Sequence, residues 1–117
     1  MDDEPIVLAM IGTSLNRHGY RVLLAATADE AILVSDTYEH SIDLLIADHT
    51  LKQREEVTSK LLETRPAMHV LQISGCVREV LIAKGQLLRN EWFLEKPFMP
   101  NDLMEVVRDI LAFRTPK

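Results

Sequence analysis

Cysteine is almost missing from this chain. Cys76 is the only one, so no internal disulfide can form. That fits a reducing compartment. Glycine is scarce too, four in 117 residues, and none cluster. A glycine-rich phosphate loop and a nucleophile elbow are therefore both absent. No apolar run approaches the ~18 residues needed to span a bilayer. The opening "MDDEP" is acidic and is no signal peptide. Basic residues are the minority, 13 against 18 acidic, for a net charge of -5. The chain has no long-range pull toward nucleic acid or an anionic membrane. The four histidines (His18, His40, His49 and His69) show no spacing for a metal pair. These absences lead us to expect a cytoplasmic protein, or the cytoplasmic part of something larger, with neither nucleic acid nor membrane as a partner.

What is present is a regular alternation. The length suits one domain, expected over 1–117, with 47% apolar and 26% charged residues. Val7, Ile11 and Leu15 recur at helical spacing, with Pro5 at the start and Gly19 at the stop. "RVLLAA" (21–26) has strand length. Thr27 and Glu30 have capping-box spacing and open a second helix. "IDLLIAD" (42–48) is apolar on both faces, as a buried parallel strand is. A helix over "EEVTSKLLETR" ends before Pro66. "HVLQISG" (69–75) is a strand, "VREVLIAKG" a helix closed by Gly85, and "WFLEKP" a fourth strand. "PNDLMEVVRDILAF" closes the chain, with Leu103, Val106, Val107, Ile110 and Leu111 on one face. The order predicts an α/β fold with a doubly wound parallel sheet. Ligands of such sheets collect at the carboxyl ends of the strands.

Those ends carry Asp48, Ser74 and Lys96, and Asp2 and Asp3 precede the first helix. Crowded carboxylates push one another toward the neutral form. A divalent cation held by oxygen ligands relieves that, and magnesium suits a site with few protein ligands. One carboxylate can then attack a phosphoryl group to give an aspartyl phosphate. The metal and Lys96 would offset charge on the phosphoryl oxygens, and Ser74 could donate a hydrogen bond to one.

The motifs "DDEP" at 2–5, "DLLIAD" at 43–48, "SG" at 74–75 and "KPF" at 96–98 together resemble a response-regulator receiver domain. The separation of Ser74 and Lys96, 96 minus 74 or 22 residues, is the usual family distance. The stretch "ISGC…AKGQLL…WFLEKPF" is similar to receiver modules of hybrid histidine kinases. The resemblance implies a flavodoxin-like fold with Asp48 as phosphoacceptor. It implies Mg2+ (or Mn2+) held by Asp2, Asp3, Asp48 and the backbone carbonyl of Thr50. Ser74 corresponds to the switch hydroxyl, Lys96 to its paired lysine, and Phe93 to the switch-coupled aromatic. The phosphoryl group would come from a histidine kinase or a histidine phosphotransfer protein. The domain would catalyse only its own phosphorylation and dephosphorylation, and so is not expected to be a turnover enzyme. The resemblance leaves a homodimer open.

Three departures stand beside it. A receiver has a hydrophobic strand before its acidic pair, and here only Met1 precedes Asp2. Losing that strand would expose the edges of strands 21–26 and 42–48. A fragment, a misplaced start, an altered module or strand addition by a neighbouring chain would each account for it. Lys52 stands where the family has proline, without the usual glycine after it. Met99 precedes Pro100 at a position that usually caps, and methionine cannot cap.

Plainer readings exist for each residue. Asp48 could merely cap the next helix, and Asp43 competes with it but begins its strand at the wrong end of the sheet. Asp2 and Asp3 could be solvated, Ser74 a turn serine before Gly75, and Lys96 a surface partner of Glu95. Phe93 and Trp92 read as core or interface aromatics, and Cys76 as a small structural residue. The functional rival is a degenerate receiver that works by docking, without phosphorylation. A flavin or nucleotide binder on the same fold lacks its phosphate loop.

Overall fold

A computed structural model of the chain describes residues 1–51, 53–88 and 91–112. In chain order the elements are α1 (Pro5–Arg17), α2 (Ala28–Thr37), β1 (Leu44–Asp48), α3 (Arg54–Thr64), β2 (His69–Ser74), α4 (Arg78–Ala83), β3 (Trp92–Glu95) and α5 (Pro100–Ala112). The strands form a parallel sheet in the order β1-β2-β3. Asp48 pairs with Ile73, and Ser74 with Glu95. The carboxyl ends of all three strands therefore lie side by side.

Local chemistry explains the helix boundaries. Thr27 caps α2, its side chain accepting from the Glu30 N–H at 3.1 Å, and Glu30 reaches back to the Ala26 N–H at 3.4 Å. Gly19 and Gly85 take φ of 85° and 71° just beyond α1 and α4, a conformation cheap only for glycine. Met99 lends α5 no cap, and instead the Asp102 carboxylate accepts from the Met99 N–H at 3.0 Å. The Arg65 guanidinium ties the end of α3 to α2 and its exit. It donates to the carbonyls of Ser35, Tyr38 and His40 and to Ser35 Oγ.

The sheet is covered on both faces, as a doubly wound fold requires. One core joins Leu45 and Ala47 of β1 to Ala28 and Ala31 of α2 and Val57 and Leu61 of α3. The other joins Leu71 and Ile73 of β2 to Ile11 and Leu15 of α1 and Leu103, Val107 and Ile110 of α5. Leu71, Ile73, Leu103 and Ile110 are fully buried. Each such side chain contributes about 1.5–3 kcal/mol by leaving water.

The sequence predicts four strands, and the described residues form three. Residues 21–26 are not a strand. The reason is the neighbour that a strand there would pair with. Its place, between Ala25 and β1, holds only Met1 and Asp2. The Asp2 N–H donates to Ala25 O at 3.1 Å, the Met1 ammonium to Ile46 O at 2.7 Å, and the Asp48 N–H to Met1 O at 2.9 Å. Two residues satisfy one end of the segment and leave Arg21–Leu24 without a ladder. β1 also starts two residues later than the apolar run, at Leu44.

Candidate functional site

Main-chain bonds set the site. The His49 N–H donates to Ile73 O and the Lys96 N–H to Ser74 O, both at 2.7 Å. These bonds lock the residues after β1 and β3 onto β2. The stub of Met1 and Asp2 lies on the other side of β1. Asp48 and Asp2 are consequently held rigidly, and both are buried, 1% and 0% exposed. Asp3 is exposed.

The structure gathers Asp2, Asp3 and Asp48. Each offers an oxygen, and these oxygens lie within 4.8 Å of one another. Lys96 reaches the same point. Its Nζ lies 3.1 Å from Asp2 Oδ2, 3.5 Å from Asp48 Oδ2 and 2.7 Å from Glu4 Oε1. The expected plain pairing of Lys96 with Glu95 is not what these contacts favour. The Lys96–Pro97 bond is cis.

Asp48 Oδ1 accepts from both the N–H and the Oγ1 of Thr50, each at 3.1 Å. Thr50 thus touches the site through donors. Ser74 is fully buried, and its Oγ accepts from the Cys76 N–H at 3.0 Å. It belongs to the same strand end but contacts its own turn. Phe93 is half-buried on β3 and sits beside Gln72. Trp92 and Leu94 pack into the core of α1 and α5, while Phe93, between them, takes the other face. Lys52 lies outside the described residues. The next residue, Gln53, takes φ 63°, a left-handed conformation that costs a non-glycine residue roughly 1–2 kcal/mol.

Two residues near the site were not among those expected to form it, although His49, next to Asp48, was a candidate to line it. Glu4 makes the shortest contact to Lys96, and it was in view as the third acid of "DDEP". His49 spans to the loop after α4, its Nε2 3.0 Å from Gln86 O. Nothing in the spacing pointed to that contact.

The electrostatics suit an oxygen-liganded divalent cation. Burial raises the Asp2 pKa, reinforced by the Asp48 charge, although the Glu4 N–H and Lys96 counteract it. Asp2 Oδ2 has an ion pair to Lys96 but no hydrogen bond. A buried carboxylate oxygen left so is a natural ligand for a hard cation. Burial lowers the pKa of the Met1 ammonium, against the raising influence of Asp2 and Asp48.

A sign follows for Asp2. A carboxyl whose folded pKa lies above its unfolded value favours folding most when protonated, and that contribution is lost as pH rises through the raised value. Asp2→Asn should therefore raise the melting temperature of the metal-free chain at pH 7, and that advantage over wild type should shrink on acidification. The same variant should lose the stabilisation by magnesium. Thermal melts with and without magnesium at pH 4 and pH 7 read both effects.

Comparison with known proteins bears on this geometry. The sequence model for the response regulator receiver domain matches residues 1–108. The chain is 26% identical over 113 residues to the alkaline phosphatase synthesis transcriptional regulatory protein PhoP of Bacillus subtilis, covering 95% of this chain and 46% of that protein. It is 28% identical over 116 residues to the chemotaxis protein CheY of Treponema pallidum, covering 95% and 79%. It thus spans less than half the length of PhoP. Among solved structures it is similar to a response regulator from Thermotoga maritima, with TM-score 0.78 and 22% identity over 97% of this chain and 94% of that one. It is also similar to the BeF3-activated DrrB receiver domain, with TM-score 0.74 and 24% identity over 96% and 93%. These two likenesses establish a shared fold.

Proposed function

The chain belongs to the response regulator receiver domain family, and from that premise we propose that it is a phosphorylation switch with Asp48 as acceptor. The observation that carries the reading is the convergence of Asp2, Asp3, Asp48 and Lys96 at the carboxyl ends of the strands. Asp2, Asp3 and Asp48 would hold Mg2+ (or Mn2+), with the Thr50 carbonyl as a further ligand. The metal supplies positive charge to the phosphoryl oxygens when bound.

The chain's own residues do the rest. Asp48 is pinned through Oδ1 by Thr50, which leaves Oδ2, on the Lys96 side, as the attacking oxygen. Attack forms the Oδ2–P bond and breaks the bond from phosphorus to the donor's leaving group, which carries off the electron pair. Lys96 keeps its proton throughout and meets the new negative oxygen. Ser74 Oγ would turn from the Cys76 N–H to donate to another phosphoryl oxygen, and Phe93 would move with it. The donor would be a histidine kinase or phosphotransfer protein. Self-catalysed phosphorylation and hydrolysis would be its only chemistry. Val77, Val80 and Met99, exposed around α4 and the start of α5, offer apolar contacts to a partner. No helix among the described residues is long and apolar enough to cross a membrane, and we place the switch in the cytoplasm.

The test is uptake. Purified chain with magnesium and acetyl phosphate should gain one phosphoryl group by intact mass, labile as an acyl phosphate is. A folded chain that gains none contradicts the proposal and leaves the docking module, which the reduced sheet favours.

Glu4 gives a second expectation. Its exposed carboxylate holds Lys96 at 2.7 Å and faces any incoming phosphoryl donor. Glu4→Gln removes both a competitor and a repulsion, together on the order of 1 kcal/mol in a wet setting. Uptake from acetyl phosphate should quicken roughly five-fold. An unchanged or slower rate would show that Glu4 does not restrain Lys96.

A further inference from the structure

The middle of β2 carries one polar side chain, Gln72, and it is only 6% exposed. A buried amide is costly unless it is hydrogen-bonded. Its Oε1 accepts from Arg54 Nη1 at 2.8 Å, and the Arg54 side chain is itself only 10% exposed. The pair lines an open cleft of about 300 Å³ between α3 and the loop that follows α4.

Arg54 is poorly neutralised for so buried a cation. Its ion pair among the described residues is to Glu55, at 3.4 Å, and Glu55 is 84% exposed. A long contact to an exposed partner contributes little. The guanidinium carries about five N–H donors in a planar fork. One goes to Gln72 and one to Glu55, and the rest are unengaged among the described residues. Thr58, one turn along α3, lines the same cleft. In a helix a threonine hydroxyl can satisfy itself on the carbonyl four residues back. Thr58 Oγ1 does not; it is buried and has no hydrogen-bond partner among the described residues. Donors thus outnumber acceptors on the α3 side.

On the loop side the chemistry reverses. Glu91 lines the cleft, half-buried, and its Oε2 accepts from the Leu88 N–H at 2.8 Å. Its other oxygen has no hydrogen bond among the described residues. Leu88, in the same wall, is 66% exposed. A plain anion would be repelled by Glu55 and Glu91, and a plain cation by Arg54. The complement is a small molecule with both charges and an apolar group.

We propose that this cleft binds a free aliphatic amino acid. Its carboxylate takes the open side of the Arg54 fork, which suits a carboxylate bidentately, and the Thr58 hydroxyl turns to donate to it. Its ammonium meets Glu91, and its side chain covers Leu88. The volume stands at the lower end of ordinary ligand sites and suits a guest this small. The loop it touches is tied to the strand ends, since His49 Nε2 lies 3.0 Å from Gln86 O. The inference is independent of phosphorylation at Asp48.

The probe is L-leucine, titrated into the full chain at neutral pH and followed by NMR. Saturable shifts should appear at the Arg54 Nε–H, the Gln72 side-chain amide, and the Thr58 and Leu88 backbone amides. Leucinamide lacks the carboxylate and N-acetylleucine the ammonium, and each should bind about ten-fold more weakly. Arg54→Lys keeps the charge but not the fork, and should weaken leucine by about the same factor. Four results would each overturn the proposal. They are no shifts at about 10 mM leucine, equal binding of leucine and leucinamide, equal binding of leucine and N-acetylleucine, or shifts centred away from the cleft.

Discussion

Replacing Asp48 with asparagine should abolish phosphoryl uptake from acetyl phosphate while leaving the fold intact. Asparagine keeps the shape and a carbonyl oxygen for Thr50 to donate to, but its amide is no nucleophile toward phosphorus. The site also loses one of three clustered carboxylates, so the metal-free chain should be no less stable than wild type. Asp43→Asn is the matched control. Asp43 stands just before β1, at the end away from the cluster, and its carbonyl accepts from His69 N–H at 3.0 Å. That variant should label like wild type. Labelling that survives Asp48→Asn but is lost in Asp43→Asn would place the acceptor at the wrong end of the sheet and overturn the account.

Lys96→Met should unsettle both stability and chemistry. The lysine is the cation beside Asp2 and Asp48, whose side chains are 0% and 2% exposed. Removing one partner from a buried charge cluster strands the others, at a cost of about 3 kcal/mol. For a domain of this size that lowers the melting temperature by on the order of 10 °C. Magnesium should recover much of the loss, because it replaces the missing charge. Uptake should fall by on the order of a hundred-fold, since the new phosphoryl oxygen loses its ammonium. The pH dependence has a definite sign. Burial alone would lower the Lys96 pKa, but the Glu4 and Asp2 carboxylates against its ammonium and the nearby Asp48 charge outweigh it, and the net shift is upward. A raised folded pKa gives stability that is complete below the ordinary lysine value and lost as pH rises through the raised one. Wild type should lose this contribution only at strongly alkaline pH, and Lys96→Met should lack that alkaline transition. Equal melting curves for the two chains would show that the cluster holds together without its lysine.

Much of this was legible in the sequence, for physical reasons that differ by element. Helices announced themselves through local chemistry. Thr27 with Glu30 and Pro5 with Gly19 act over a few residues, so spacing alone reveals them. β1 and β2 were legible because both faces are buried, which leaves apolar runs, broken in β2 by Gln72, whose side chain accepts from Arg54. The run at 21–26 looks the same, yet forms no strand, because a strand needs a neighbour and its neighbour is only two residues long. Pairing over distance is not written in the run itself. The site divides similarly. The strand-end positions of Asp48, Ser74 and Lys96 followed from the alternation. Which carboxylate would lie nearest Lys96 did not, since Glu4 reaches it from the N-cap of α1, 92 residues away in sequence. The edge beside β1 was foreseen as exposed, but the apolar lining of the groove there required coordinates.

One measurement bears most directly on the switch. Amide NMR shifts of the chain would be followed on adding beryllofluoride with magnesium, and again with each alone. The account predicts shifts centred on Asp48, Ser74 and Lys96, extending to Phe93, that need both reagents. A folded chain whose spectrum does not respond, or responds equally without magnesium, would contradict it.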